Sequence, residues 1–232
     1  GTKLPSLGHA EFAELKNHYR LAALGMAKGG ADGILIETAQ DLLQVKAAVH
    51  GCQEAFAELG YRIALVCHVT VETTGTMLLG SEIGAALTAL ENLGIDMIGL
   101  NCATGPDEMS EHLRYLSHHA TVPVSVMPNA GLPVLGKDGA VYPLEPAGLV
   151  SALRGFVTDY GLSMVGGCCG TTPAHISAVR DAIVGNQSTL KVTQKVREVV
   201  KGDAVSSLYS SVNLTQDTGI TMIGERTNAN GS

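Results

Sequence analysis

Five short apolar runs, each handing over to a segment with helical spacing, leave this chain few ways to fold. The runs are residues 33–38, 62–70, 95–102, 122–127 and 162–167, aliphatic along most of their length. Near-continuous apolar character marks strands covered on both faces, as in parallel sheets. Between and after them, residues 42–59, 81–93, 106–119, 147–160 and 173–184 read as helices, with Gly60 and Gly94 as stops and Ser81 as a cap. A helix also precedes the first strand: Phe12, Leu15, Tyr19, Ala22 and Met26 fall three to four apart, stopped by Gly29-Gly30. No hairpin signal is read between the runs. Five strand–helix units in a row therefore imply an α/β fold with a parallel sheet.

The polar residues gather at the C-terminal tips of those strands: Glu37-Thr38, Thr70 to Glu72, Asn101-Cys102, Pro128-Asn129 and Cys168-Cys169. In a parallel barrel all such tips open on one face, which carries the active site. A doubly wound open sheet is the competing architecture, but it carries a phosphate-binding glycine loop after its first strand, and none is visible here. A barrel is the expected fold, although five units fall short of eight.

The last tip is the most distinctive. Met164-Val-Gly-Gly-Cys-Cys-Gly-Thr-Thr-Pro173 runs from strand through a glycine-rich turn to a helix start with a Thr cap and Pro in the first turn. Two adjacent cysteines alone are also explained as small buried residues or a vicinal disulfide. Cys102, at an equivalent tip two units earlier, changes the balance. Three thiolates from two tips can reach one zinc and leave its fourth position open, as in a catalytic site. The soft fourth ligand would be a substrate thiol, deprotonated by the metal, and the natural reaction is alkyl transfer to sulfur. Three anionic ligands make activation of water the poorer alternative.

Bulk properties narrow the class. The chain is 45% hydrophobic and 16% charged, ordinary for a folded domain with a large core. A net charge of −7 with no basic cluster argues against nucleic acid or an anionic membrane as partner. No apolar run approaches the ~18 residues of a spanning helix. Five cysteines, an odd number, speak against a disulfide scaffold and for a reducing cytoplasm. The opening residues 1–8 read as a loop interior, so a piece of a longer protein is expected. Residues 186–219 read as a linker, partly helical near 193–201, and Ile220 starts another strand.

Leu100-Asn-Cys-Ala-Thr-Gly-Pro106 and Val165-Gly-Gly-Cys-Cys-Gly-Thr-Thr-Pro173 resemble the two zinc motifs of the homocysteine S-methyltransferase family. The resemblance runs from about Tyr19 to Ala182 and takes in residues 30–38 and 127–133. It implies a (β/α)8 TIM barrel, incomplete here: five C-terminal strand–helix units with the first three missing. It makes Cys102, Cys168 and Cys169 the zinc ligands, and puts Glu37 where the family has a glutamate that contacts the homocysteine amino group. Residues 223–228 resemble the opening strand of the pterin-binding domain found in cobalamin-dependent members; betaine- and S-methylmethionine-using relatives lack it. The implied division is residues 1–185 for the homocysteine barrel, 186–219 for the linker and 220–232 for the truncated pterin domain. The implied reaction is methyl transfer to a zinc-activated homocysteine thiolate, giving methionine. The methyl would come from cobalamin on a domain outside this chain, recharged from 5-methyltetrahydrofolate, and the piece alone would be inactive. The family's opening Asp-Gly-rich segment is absent, and the loop at 69–76 departs from the family pattern, so no role is carried onto it. A betaine or S-methylmethionine donor, or a non-catalytic interaction module, are the alternatives.

Each residue also has a plainer explanation. Glu37 could cap the following helix, and Asn129 could stabilise a turn instead of lining the substrate pocket. Cys52, inside a helix, and Cys67, inside a strand, read as core thiols. His118-His119 end a helix, where they suit its dipole. His175 reads as solvated or as standing behind the cysteines, and His68 faces either the helices or the barrel interior.

Overall fold

The computed structural model describes residues 3–137, 139–184, 192–200, 202–215 and 219–220. Strands β1 (Gly33–Ala39), β2 (Ala64–Val69), β3 (Met97–Asn101) and β4 (Val124–Met127) are followed by a small antiparallel hairpin, β5 (Val134–Gly136) and β6 (Gly139–Val141), and then by β7 (Met164–Val165). β1, β2, β3, β4 and β7 lie side by side in that order, every pairing parallel. The order never reverses, so the sheet has no switch point of the doubly wound kind.

Among the described residues, six α-helices accompany the strands: α1 (Phe12–Lys28), α2 (Leu42–Leu59), α3 (Ile83–Leu90), α4 (Pro106–His119), α5 (Pro146–Tyr160) and α6 (Pro173–Ile183). Each packs on the next in chain order, as expected of a single layer. Ile34, Ile36, Leu65, Cys67, Val69, Ile98, Leu100, Val124 and Val126 are buried in the core cluster with apolar residues of the helices. Side chains alternate across a strand, so Leu35, Glu37, Val66, His68, Gly99 and Ser125 belong to the opposite face. There, His68, Gly99 and Ser125 stand in one lateral row. A Cβ on Gly99 would stand 2.3 Å from the Ser125 carbonyl oxygen and 2.8 Å from His68 Nε2. Its absence lets His68 Nε2 and Ser125 Oγ meet at 2.6 Å across the intervening strand. Burial lowers the His68 pKa to about 4, which keeps the ring neutral.

Four local expectations change. The loop at 128–146 contains the β5–β6 hairpin, which Asp138-Gly139 between two apolar stretches signals. The buried face of α1 is Ala23, Leu24 and Ala27, while Met26 is exposed, so the apolar stripe runs about one residue away from the Ala22–Met26 line. Ser81 is buried and does not cap α3, whose N-cap is Glu82. Residues 193–200 form neither helix nor strand, and they lead to a second hairpin, β8 (Ala204–Ser206) with β9 (Ser211–Asn213). This stretch is strapped across the helix ends: Gln194 Nε2 donates to Gly161 O at 2.9 Å and Lys195 N to Val157 O at 3.1 Å. Apart from Ile220, the expected strand at 220–232 lies outside the described residues. Among the described residues, no helix is long and apolar enough to cross a membrane.

Candidate metal centre

Cys102 follows the last residue of β3 in a conformation that is uncommon for anything but glycine: φ is 62° there and 59° at Ala103. Two hydrogen bonds hold this turn. Cys102 N donates to Met127 O at 3.2 Å, and Thr104 N donates to Cys102 O at 2.7 Å. Gly105 then starts α4, its N–H satisfied by Glu108 Oε2 at 3.1 Å.

Cys168 and Cys169 occupy the turn from β7 to α6, and the segment after β4 grips both. Cys168 N donates to Pro128 O at 2.7 Å, Cys169 N to Asn129 Oδ1 at 3.1 Å, and Ala130 N to Cys169 O at 2.9 Å. Gly170 has φ 77°, and a Cβ there would stand 2.3 Å from Tyr142, so only glycine fits. Thr172 caps α6 with Pro173 in its first turn, as the sequence predicts. His175 secures the arrangement: Nδ1 accepts from Thr172 N at 3.2 Å, and Nε2 donates to Leu144 O at 2.8 Å.

The outcome is a three-sulfur cluster. Cys102 Sγ lies 3.7 Å from Cys169 Sγ, Cys168 Sγ lies 3.9 Å from Cys169 Sγ, and all three fall within 4.8 Å of one another. Two sulfurs each ~2.3 Å from a tetrahedral zinc stand about 3.8 Å apart, so the donor set and its spacing fit that ion. No disulfide links them. Burial raises the Cys102 thiol pKa to about 12, with the two neighbouring sulfurs adding to the effect. A cation beside Cys102 would offset that rise and favour its thiolate. Cys52 and Cys67 are buried core thiols, raised by burial to about 11 and about 12, and neither joins the cluster.

Glu37 is exposed at the tip of β1. It is not the cap of α2: that residue is Asp41, whose carboxylate accepts from Leu43 N at 2.9 Å and from Ser6 N and Oγ at 2.9 and 2.7 Å. Asn129 is buried and holds Cys169 through its backbone N–H. His119 accepts from or donates to nothing in the cluster; its Nδ1 meets Tyr115 O at 2.9 Å and its ring stacks on Tyr115.

Two contributors, Asn101 and Tyr142, were given no role from the sequence, and a third, His175, takes the buried one of the two places expected of it. Asn101 bonds to Thr38 and to Cys168. Tyr142 stands beside the cluster, where the neighbouring Cys169 thiol raises its phenol pKa. His175 is buried and clamps the loop beneath. Asn101 was legible as the neighbour of Cys102 on a strand tip; Tyr142 had no signal, because a long loop brings it there.

Comparison with known proteins agrees with this geometry. The family model described as homocysteine S-methyltransferase matches residues 1–183. Methionine synthase of Mycobacterium tuberculosis is 62% identical over 232 residues, and that of Mycobacterium leprae 61% over 233 residues. The whole chain aligns in both cases, yet it spans only 19% of each relative's length. Two crystal structures of the homocysteine methyltransferase MmuM from Escherichia coli, an apo and a metallated form, share the fold at TM-scores of 0.58 and 0.59. They are 20% and 21% identical, covering 75% and 74% of this chain and 58% and 52% of theirs. With both cysteine motifs inside the matched residues, the chain belongs to the homocysteine S-methyltransferase family.

Proposed function

We propose that this chain is the homocysteine-binding part of a cobalamin-dependent methionine synthase. The carrying observation is the trio of sulfurs at zinc-ligand spacing on the strand tips. Cys102, Cys168 and Cys169 would hold the ion. Bound there, zinc supplies the means for a substrate thiol to ionise at neutral pH. The chain's own residues do the rest. The Pro128–Asn129–Ala130 segment fixes the two adjacent cysteines, the left-handed turn at Cys102 aims the third, and Glu37 meets the amino group of homocysteine. Asn129 lines the same pocket. A methyl group then passes to the homocysteine sulfur, giving methionine.

Two features support the cobalamin-dependent branch: identity of 61–62% to methionine synthases several times longer than this chain, and the Ile223-Gly-Glu-Arg-Thr-Asn228 motif. The methyl group arrives on cobalamin, carried by another domain and recharged from 5-methyltetrahydrofolate. Residues 1–185 belong to the homocysteine barrel, 186–219 to the linker and 220–232 to the start of the pterin-binding domain. The five parallel strands are the fourth to the eighth of a (β/α)8 barrel, a reading favoured by their unreversed order. A reducing cytoplasm suits a site that needs three free thiols.

X-ray absorption at the zinc edge tests the proposal. The zinc-loaded protein gives three sulfur neighbours at ~2.3 Å, rising to four on addition of homocysteine. A sulfur count unchanged by homocysteine contradicts thiol binding at the metal.

A further inference from the structure

Asn101 is fully buried at the end of β3, between the tip of β1 and the cysteine turn. Its Oδ1 accepts the Thr38 N–H at 2.7 Å, and its Nδ2 donates to Thr38 Oγ1 at 2.8 Å and toward Cys168 Sγ at 3.7 Å. A side-chain amide has one acceptor oxygen and two N–H donors, so all three groups are engaged here. Its backbone carbonyl is held as well, by Thr70 Oγ1 at 3.0 Å. Thr38 has φ 54°, a left-handed conformation that a β-branched residue adopts only when its surroundings impose it. The Asn101 amide is such an imposition, bonded to both the backbone and the hydroxyl of Thr38. Glu37 is the residue before it.

We propose that Asn101 is a positioning residue that governs both ends of the site, setting the charge on the Cys168 sulfur and seating the β1 tip that presents Glu37. The inference rests on the homocysteine reading above and adds a residue to it. An N–H directed at a thiolate withdraws charge from the sulfur and fixes its orientation, as groups behind metal ligands commonly do. The other N–H and the oxygen hold the tip that meets the amino group. Asparagine suits both tasks; aspartate has the same shape but no N–H, and leucine offers neither donor nor acceptor.

The test uses the full chain loaded with Co(II) or ¹¹³Cd(II) in place of zinc. In the cobalt form, Asn101→Leu moves the sulfur-to-metal charge-transfer band to longer wavelength and raises the homocysteine Kd about tenfold, the size of one good hydrogen bond. Thr38→Ala weakens homocysteine binding but leaves the band where it is, since the N–H···S bond remains. The wild-type cadmium form needs no variant to fold: an Asn101 Nδ2 proton shows scalar coupling to ¹¹³Cd through the sulfur. An unmoved band in a folded Asn101→Leu chain, or no such coupling in the wild type, overturns the inference while leaving the zinc site intact. A wild-type chain that binds neither metal overturns both.

Discussion

A single missing Cβ decides how the inner face of the sheet is filled. Gly99 makes room for the His68–Ser125 bond, and an alanine there would press on a backbone carbonyl that cannot retreat from the sheet. Gly99→Ala should cost about 1–3 kcal/mol of stability, as overpacking does, visible as a lower urea midpoint; an unchanged midpoint contradicts the packing described. His68 gives the pH dependence its sign. Its pKa is about 4 when folded against 6.5 in the unfolded chain, so between those values only the unfolded state takes up the proton. Its contribution is complete above pH 6.5 and disappears as pH falls toward 4, with a ceiling on the order of 3 kcal/mol. Urea titrations at pH 7 and pH 5 should show that loss, and His68→Asn should flatten it. Asn129→Ala removes the acceptor of the Cys169 N–H. It should speed metal release to a chelator about tenfold or more, whereas an unaltered rate would assign Asn129 to the turn alone. The three cysteines were legible because thiols on two strand tips have few other uses. Asn101 was less so: its amide looks like any strand-end polar group until Thr38 and Cys168 are brought beside it.

Elements built on a regular period were read correctly, and those held by tertiary contacts were not. The five strands and the helices that follow them lie within a few residues of their expected places because apolar runs and glycine stops are local signals. The α1 stripe was misplaced by a residue because two of the three side chains it buries are Ala23 and Ala27, and small side chains weigh little in an apolar pattern. The strap at 192–200 has no period at all. Its conformation comes from bonds to the ends of other helices, among them Arg197, which donates to the carbonyls of Leu116, Ala120 and Val122 at 3.4, 3.0 and 2.7 Å. A cation at the α4 C-terminus is favoured by the helix dipole as well as by these bonds. Arg197→Ala should therefore lower stability by about 2 kcal/mol, since bonds to charged groups carry about 1.5–3. Arg197→Lys should recover only part, lacking the planar fork. Equal stability of all three proteins by urea unfolding would mean that the strap merely rests on the helices.

At the scale of the whole molecule, one consequence of topology stands out: parallel strands in unreversed order bring every C-terminal tip to the same side. Cys102 and Cys168 are separated in sequence by two helices, two strands of the sheet and a hairpin, yet both project from that side. The sheet thus acts as a frame that turns distant cysteines into one ligand set. That set is where the central claim meets experiment. The most direct measurement is zinc content by mass spectrometry after dialysis, for the wild type and for Cys102→Ser, Cys168→Ser and Cys169→Ser. The expected result is about one zinc per wild-type chain and far less in each variant, with Cys67→Ser retaining the metal. A metal-free wild type, or retention by all three variants, would contradict the account.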